Sequence, residues 1–302
     1  MAKEILQADV PQIKSLLRQV LGVEDYGNLK RMGGLTNHTY QATLADGRQY
    51  VVRIPGEGTQ ELIARGDEKV STQLACRLGV DAQLLYFGDD GAKVTSYIPN
   101  AVTMSAELLK QEAHIAQVAE IFKTIHSCGV DTGVSFEVFQ MAAGYEKIIG
   151  DKNVPMFEDY SAVKAQVEAI KAEIDARINP KKVPCHNDPL CENWVEGDGR
   201  MYLIDWEYAG MNDGMWDLAD VSIEAGFTQE CDSLLLEKYL GQTPTLLQRK
   251  HFLASKIYVD FLWSLWAKAR VPYDGQPMED WAVERYERMK TFIAQYDKEG
   301  SV

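Results

Sequence analysis

The sequence predicts an α+β chain of two lobes, with a small antiparallel sheet at the N-terminal end and a mainly helical remainder. Two observations carry this. Short β-rich runs separated by glycine turns fill residues 29–98, and apolar residues at helical spacing recur through most of residues 105–296. Pro99 ends the last short strand, so the lobes are read as 1–98 and 99–302.

Taken in order, a helix is expected over 5–21. Ile13, Leu16, Leu17, Val20 and Leu21 share a face, and Pro11 suits a first turn. Residues 29–44 read as two strands joined at Gly33-Gly34. Residues 49–54, Gln-Tyr-Val-Val-Arg-Ile, read as a third strand after the turn Ala45-Asp46-Gly47-Arg48. A helix is expected over 61–78, then short strands over 82–87 and 93–98 around Gly88-Asp89-Asp90-Gly91. One helix is expected over 105–127, with Ile115, Val118, Ala119, Phe122 and Ile125 on one face and His126 as its C-terminal cap. Residues 130–159 read as loop-rich, and 160–178 as a charged amphipathic helix. The turn Glu196-Gly197-Asp198-Gly199 leads into an apolar strand, Met201-Tyr202-Leu203-Ile204. Helices follow from Trp216, over 248–269 (apolar almost all round, hence buried) and over 278–296.

Composition narrows the function classes. Lys and Arg number 31 against 45 Asp and Glu, a net charge of −14, which argues against a general nucleic-acid binder. No run of eighteen or more apolar residues and no signal-peptide layout is present, so no membrane insertion is expected. The cysteines number five at irregular spacing, as suits a reducing cytoplasm. Cys185 and Cys191 form C-x5-C, a poor zinc signal without a second pair.

The chemistry concentrates between Pro184 and Ala219. His186-Asn187-Asp188 precedes Asn193 in the pattern D-x4-N, and Asp205 follows at the end of the apolar strand. Phosphoryl transfer from a nucleotide needs this set. One Asp orients and deprotonates an acceptor hydroxyl, while an Asn and a second Asp hold Mg²⁺ against the phosphates. Upstream, Gly33-Gly34-Leu35-Thr36-Asn37 is a weak phosphate-loop signal that also reads as a plain hairpin turn. Its place one hairpin before Arg53 favours the phosphate role, because glycines let backbone N–H groups approach phosphate oxygens. Arg53 can clamp phosphate oxygens, and needs an acidic partner from helix 61–78. Glu68 is the best placed, with Glu61 and Asp67 as neighbours that also fit a solvated face.

These residues resemble the bacterial choline kinases, within the wider choline/ethanolamine kinase and aminoglycoside phosphotransferase group. The resemblance rests on His186-Asn187-Asp188, Glu192-Asn193, Leu203-Ile204-Asp205-Trp206-Glu207-Tyr208 and Met211-Asn212-Asp213 through Trp216-Asp217-Leu218-Ala219. It implies a protein-kinase-like fold with ATP between the lobes and choline as acceptor. Asp188 is then the catalytic base, and Asn193 and Asp205 the Mg²⁺ ligands with Glu207 as helper. It implies adenine contacts near Ser96 and Ile98, and Asp217 bound to the backbone of the catalytic loop. For the cationic head of choline it implies Tyr208, Glu224, Trp263, Trp266 and Tyr286. From periodicity alone Trp263 and Trp266 read as core. Ethanolamine, an aminoglycoside or another hydroxylated metabolite are rival acceptors. A catalytically dead binding module is a rival outside the enzymes, and a metal-dependent phosphohydrolase using His186, Asp188 and Asp205 is another.

Overall fold

The computed structural model describes residues 4–33, 37–56 and 64–299. Helix α1 (Val10–Leu21) precedes strands β1 (Asn28–Gly33), β2 (Asn37–Thr43) and β3 (Gln49–Pro55). Helix α2 (Arg65–Leu78), strands β4 (Leu84–Phe87), β5 (Lys93–Ser96) and β6 (Val102–Thr103), and helices α3 (Ala106–Leu109), α4 (Glu112–His126), α5 (Val138–Asp151) and α6 (Tyr160–Arg177) follow. Then come strands β7 (Lys182–Cys185), β8 (Trp194–Gly197), β9 (Arg200–Leu203) and β10 (Gly210–Asp213). Helices α7 (Gly214–Glu224), α8 (Gln229–Leu240), α9 (Leu246–Asp274) and α10 (Gln276–Lys298) close the described chain.

The chain divides into two compact units, Met1–Met104 with Glu192–Ala209, and Ser105–Cys191 with Gly210–Val302. The first change of unit falls after Met104 rather than at Pro99, and residues 192–209, expected in the helical lobe, fold with the sheet-bearing one. Strand pairing is the cause. Val102 and Thr103 of β6 pair with Glu196 and Val195 of β8, and the Met104 N–H donates to the Trp194 carbonyl. A partner that far along the chain leaves no local signal.

In the first unit, an antiparallel sheet runs in the order β1-β2-β3-β5-β4. Its inner face alternates with the strand period: Tyr40 and Ala42, then Val52 and Ile54, are buried. Helix α1 covers that face with Ile13, Leu16 and Leu17. Each such buried side chain contributes roughly 1.5–3 kcal/mol. Gly22 ends α1 in the left-handed region, at φ 68. The β8–β9 hairpin turns at Asp198 and Gly199, φ 52 and 77, the paired positive angles of a two-residue turn whose twist matches the strands.

The second unit is built on α9, whose buried residues surround its axis as expected. Thr245 and Gln248 form a reciprocal capping box at its start. The helix expected over 105–127 is two helices. Ser105 caps the short α3, Gln111 is extended (φ −70, ψ 136), and α4 begins after it. The His114 Nδ1–H donates to the Leu108 carbonyl at 2.6 Å and holds this bend. The stretch 130–159, expected as loop, contains α5, which buries Val138, Ala142 and Ile149. Gly144 and Gly150 weaken its helical signal, and packing overrides them. Strands β7 and β10 pair antiparallel, Cys185 opposite Gly210, so the excursion from 186 to 209 leaves and re-enters on neighbouring strands. No helix among the described residues is long and apolar enough to cross a membrane.

Candidate active site

In the second unit, β7 delivers His186 and Asn187 straight after Cys185. Asn187 stands at φ 66, a left-handed conformation that Asn tolerates. Asp217, in the first turn of α7 and fully buried, accepts the backbone N–H of His186 and that of Asn187, each at 2.8 Å. The Trp216 indole N–H donates to the Asn187 carbonyl at 3.0 Å, and Asn212 Nδ2 donates to Asn187 Oδ1 at 2.9 Å. His126 corrects an expectation. Its Nε2 lies 3.0 Å from Asp217 Oδ2 and its Nδ1 2.9 Å from the Tyr239 hydroxyl, so the ring braces Asp217 instead of capping a helix. Asp188 comes next and is half-buried. Its N–H donates to His186 Nδ1 at 3.3 Å, and its carbonyl accepts the Leu190 N–H at 2.9 Å. The backbone around Asp188 is thereby fixed before any substrate arrives.

In the first unit, the Asn193 carbonyl accepts the Ile204 N–H at 2.9 Å, which ties Asn193 to the residue before Asp205. Asp205 stands at φ 68, two residues after β9 ends at Leu203. Glu68, fully buried on α2, lies 2.6 Å from Arg53 Nη1 by one oxygen and 2.7 Å from Arg65 Nη1 by the other. Asp67 on the same helix is exposed, which decides between the acidic candidates, while Glu61 lies outside the described residues. Burial pushes the Glu68 carboxyl up, but Arg53, with Lys93 and Arg65 beside it, outweighs burial and holds the group below its ordinary range. Arg53 also donates to the Gly91 carbonyl at 2.9 Å. Glu207 Oε1 accepts from Asn37 Nδ2 and from Arg65 Nη1, both at 2.7 Å.

Carboxylate oxygens of Glu68, Asp205 and Glu207 lie within 4.8 Å of one another. Burial and the neighbouring Asp205 charge push the Glu207 carboxyl upward. Asp205 Oδ1 has no hydrogen-bond partner among the described residues, and lies 3.7 Å from Arg53 Nη1. An oxygen-only donor set with an orphaned carboxylate oxygen and like charges pressed together suits a hard divalent cation. The hydrolase reading wanted His186 among metal ligands. Among the described residues His186 joins no metal-binding group, and its Nδ1 accepts the Asp188 N–H. Ser96 and Ile98 line a cavity of about 460 Å³ together with Asp81, Gln83, Tyr97 and Tyr202. Gly33 ends β1, whereas Gly34, Leu35 and Thr36 lie outside the described residues.

The family described as choline/ethanolamine kinase matches residues 30–270. The chain belongs to that family. The protein LicA of Haemophilus influenzae is 30% identical over 266 residues, 84% of this chain and 76% of its own. Among solved structures, choline kinase LicA of Streptococcus pneumoniae is 32% identical, matching 96% of this chain and 100% of that one with a TM-score of 0.81. A LicA structure in complex with AMP is 32% identical, matching 95% and 98% of the two chains with a TM-score of 0.75. The fold is protein-kinase-like, as the catalytic stretch implied.

The kinase places the expected cation-binding residues unevenly. Tyr208, in the first unit, is half-buried. In the second unit Trp263 is 5% exposed and meets Trp266 edge-on at 6.1 Å, and Trp266 meets Trp281 edge-on at 5.9 Å. Glu224 pairs with Arg285. Tyr286 departs from the expectation. It is 1% exposed, stacks on Phe157 at 3.8 Å and donates its hydroxyl to Asp159 at 2.8 Å, so it is committed to packing. Sequence reasoning missed Arg65, Arg285 and the part of Trp281. The i, i+3 spacing of Arg65 and Glu68 and the i, i+4 spacing of Trp281 and Arg285 were the available signals.

Proposed function

We propose that this kinase transfers the γ-phosphoryl group of ATP to the hydroxyl of choline, giving phosphocholine and ADP. The observation that carries the reading is Asp188, held on a loop whose two preceding amides are both fixed by buried Asp217. Asp188 accepts the hydroxyl proton as the acceptor oxygen forms its bond to the γ-phosphorus and the bond to the β-bridging oxygen breaks. Arg53, steadied by Glu68, and the backbone around Gly33 and Asn37 hold the phosphates. Backbone groups near Ser96 and Ile98 receive the adenine. Asn193 and Asp205 would hold Mg²⁺, with Glu207 as helper, and the bound ion supplies charge neutralisation on the phosphate oxygens. Glu224, Trp263, Trp266 and Tyr208 serve the cationic head.

A screen of ADP release over choline, ethanolamine, thiamine and aminoglycosides tests the reading. Choline is expected to give the highest kcat/KM. Ethanolamine is the second reading, because the matched family covers both alcohols. A preference for thiamine or an aminoglycoside would overturn the choline assignment.

A further inference from the structure

The head of a cationic alcohol needs an aromatic face beside a carboxylate. A cavity of about 330 Å³ in the second unit is lined by Glu224, Trp281, Glu284, Arg285, Arg288 and Lys110. A side chain already makes the contacts such a ligand would make. The Arg285 guanidinium pairs with Glu224, and its carbon lies 4.1 Å from the centre of the Trp281 ring. Arg285 is 3% exposed, yet its Nε has no hydrogen-bond partner among the described residues. Its third contact is Asp260, which accepts from Arg285 Nη1 at 3.1 Å and takes Arg288 in a two-point clasp at 2.7 Å each. Asp260 keeps a counterion whether or not Arg285 stays.

We propose that Arg285 is an internal occupant of the cation subsite, holding Glu224 and Trp281 until a small organic ammonium displaces it. This rests on the reading of the kinase as acting on a cationic alcohol. The physical case is one of competition. A partly buried Glu224 without a counterion is costly, and Arg285 removes that cost in the free protein. An incoming cation must win the site, so its apparent affinity falls by the fraction of molecules in which Arg285 is withdrawn. A neutral alcohol has no charge with which to win it. The surroundings tolerate a second cation. Asp220, one turn before Glu224 on α7, is 1% exposed, and neither of its carboxylate oxygens has a hydrogen-bond partner among the described residues. Burial pushes its carboxyl well up, so it can lose its proton when a cation arrives, and Glu284 and Asp260 add to it, against Lys110 and Arg288.

The test is Arg285→Met, which keeps an unbranched stem over Trp281 and removes the charge. Binding of tetramethylammonium, read by tryptophan fluorescence, needs no turnover. Its affinity should rise on the order of tenfold in the variant. The KM for choline should fall in step, with the KM for ATP as internal reference. If Arg285 instead positions Glu224 for the ligand, both quantities move the other way, and that result or no change overturns the proposal. Arg285→Lys, which keeps the charge, should bind tetramethylammonium as the wild type does. Should the Met variant melt early, methylguanidinium added to the wild type takes its place. It should inhibit competitively against choline and not against ATP, and any other pattern sinks the idea. Improved tetramethylammonium binding in a protein that does not phosphorylate choline would leave the occupant standing and remove the acceptor. Absence of tetramethylammonium binding in wild type and variants alike removes the occupant.

Discussion

Exchanging Asp188 for Asn keeps the size of the side chain and removes its capacity to take a proton. Turnover should fall roughly 10²-fold or more with the KM for ATP nearly unchanged. Near-normal turnover in an ADP-release assay would take Asp188 out of the proton transfer. Asp205→Ala should abolish turnover at any Mg²⁺ concentration, and EDTA should silence the wild type until Mg²⁺ or Mn²⁺ is returned. Activity that survives the chelator would sink the assignment of Asn193 and Asp205 as metal ligands, and activity that returns only with Zn²⁺ would point to the phosphohydrolase instead. Asp81 offers a pH test. Burial lifts its carboxyl from 3.8 to about 6, with Lys93 opposing. The folded state therefore favours the protonated acid. That contribution is whole below 3.8, drains away as pH rises to about 6, and is absent above it. In metal-free protein, wild type should lose roughly 3 kcal/mol relative to Asp81→Asn across that window. Urea melts of both proteins at several pH values measure this, and parallel stability curves would contradict it. Asp188, Asn193 and Asp205 could be found in the sequence because their spacing is a chemical pattern. Arg65 and Arg285 carried weaker signals, a helical spacing to Glu68 and to Trp281 that any solvated helix face also offers, and Glu207, Glu224 and Asp260, which pair with them, lie far away in the sequence.

At the scale of elements, the sheet and the long helices were legible wherever one periodicity held over several residues. Tyr40 and Ala42 of β2 and Tyr50, Val52 and Ile54 of β3 are buried at the strand period, with Asn37 and Arg53 as buried exceptions, and α9 is apolar almost all round, with Lys250, Lys256, Asp260 and Lys268 among its buried residues. Elements carried by remote pairing were not: β6 is two residues long, and its partner β8 comes after the whole of α3 to α6 and β7. The α3–α4 break was hidden because the apolar period resumes in phase on its far side. Close approach makes one further demand. A methyl group added at Gly197 of β8 would stand 2.3 Å from Ile98 Cγ2 and 2.7 Å from the Pro99 carbonyl. Gly197→Ala should therefore cost about 1–3 kcal/mol and shift residues 98–99. A raised KM for ATP with an unchanged KM for choline is expected from steady-state kinetics. Equal changes in both would mean that residues 98–99 do not serve the nucleotide alone.

For the whole molecule, the proposed nucleotide and metal residues belong to the first unit, and Asp188, Glu224 and the tryptophans to the second. Ligand-linked stability should separate them. Mg²⁺-nucleotide at about 100 times its Kd should add about 2.7 kcal/mol to unfolding. Arg53→Ala should erase that gain while keeping the gain from choline, as read by thermal shift. Loss of both gains would show that Arg53 supports the fold rather than the nucleotide. The interrupted composition of the first unit also bears on how the chain is made. A ribosome releases residues 1–104 long before residues 192–209, the piece that completes their unit. At the usual pace of synthesis the wait is roughly 5–20 s. Through it Val102 and Thr103 lack the strand they pair with, and this short stretch of unsatisfied backbone is open to a chaperone or to the same segment of a neighbouring nascent chain.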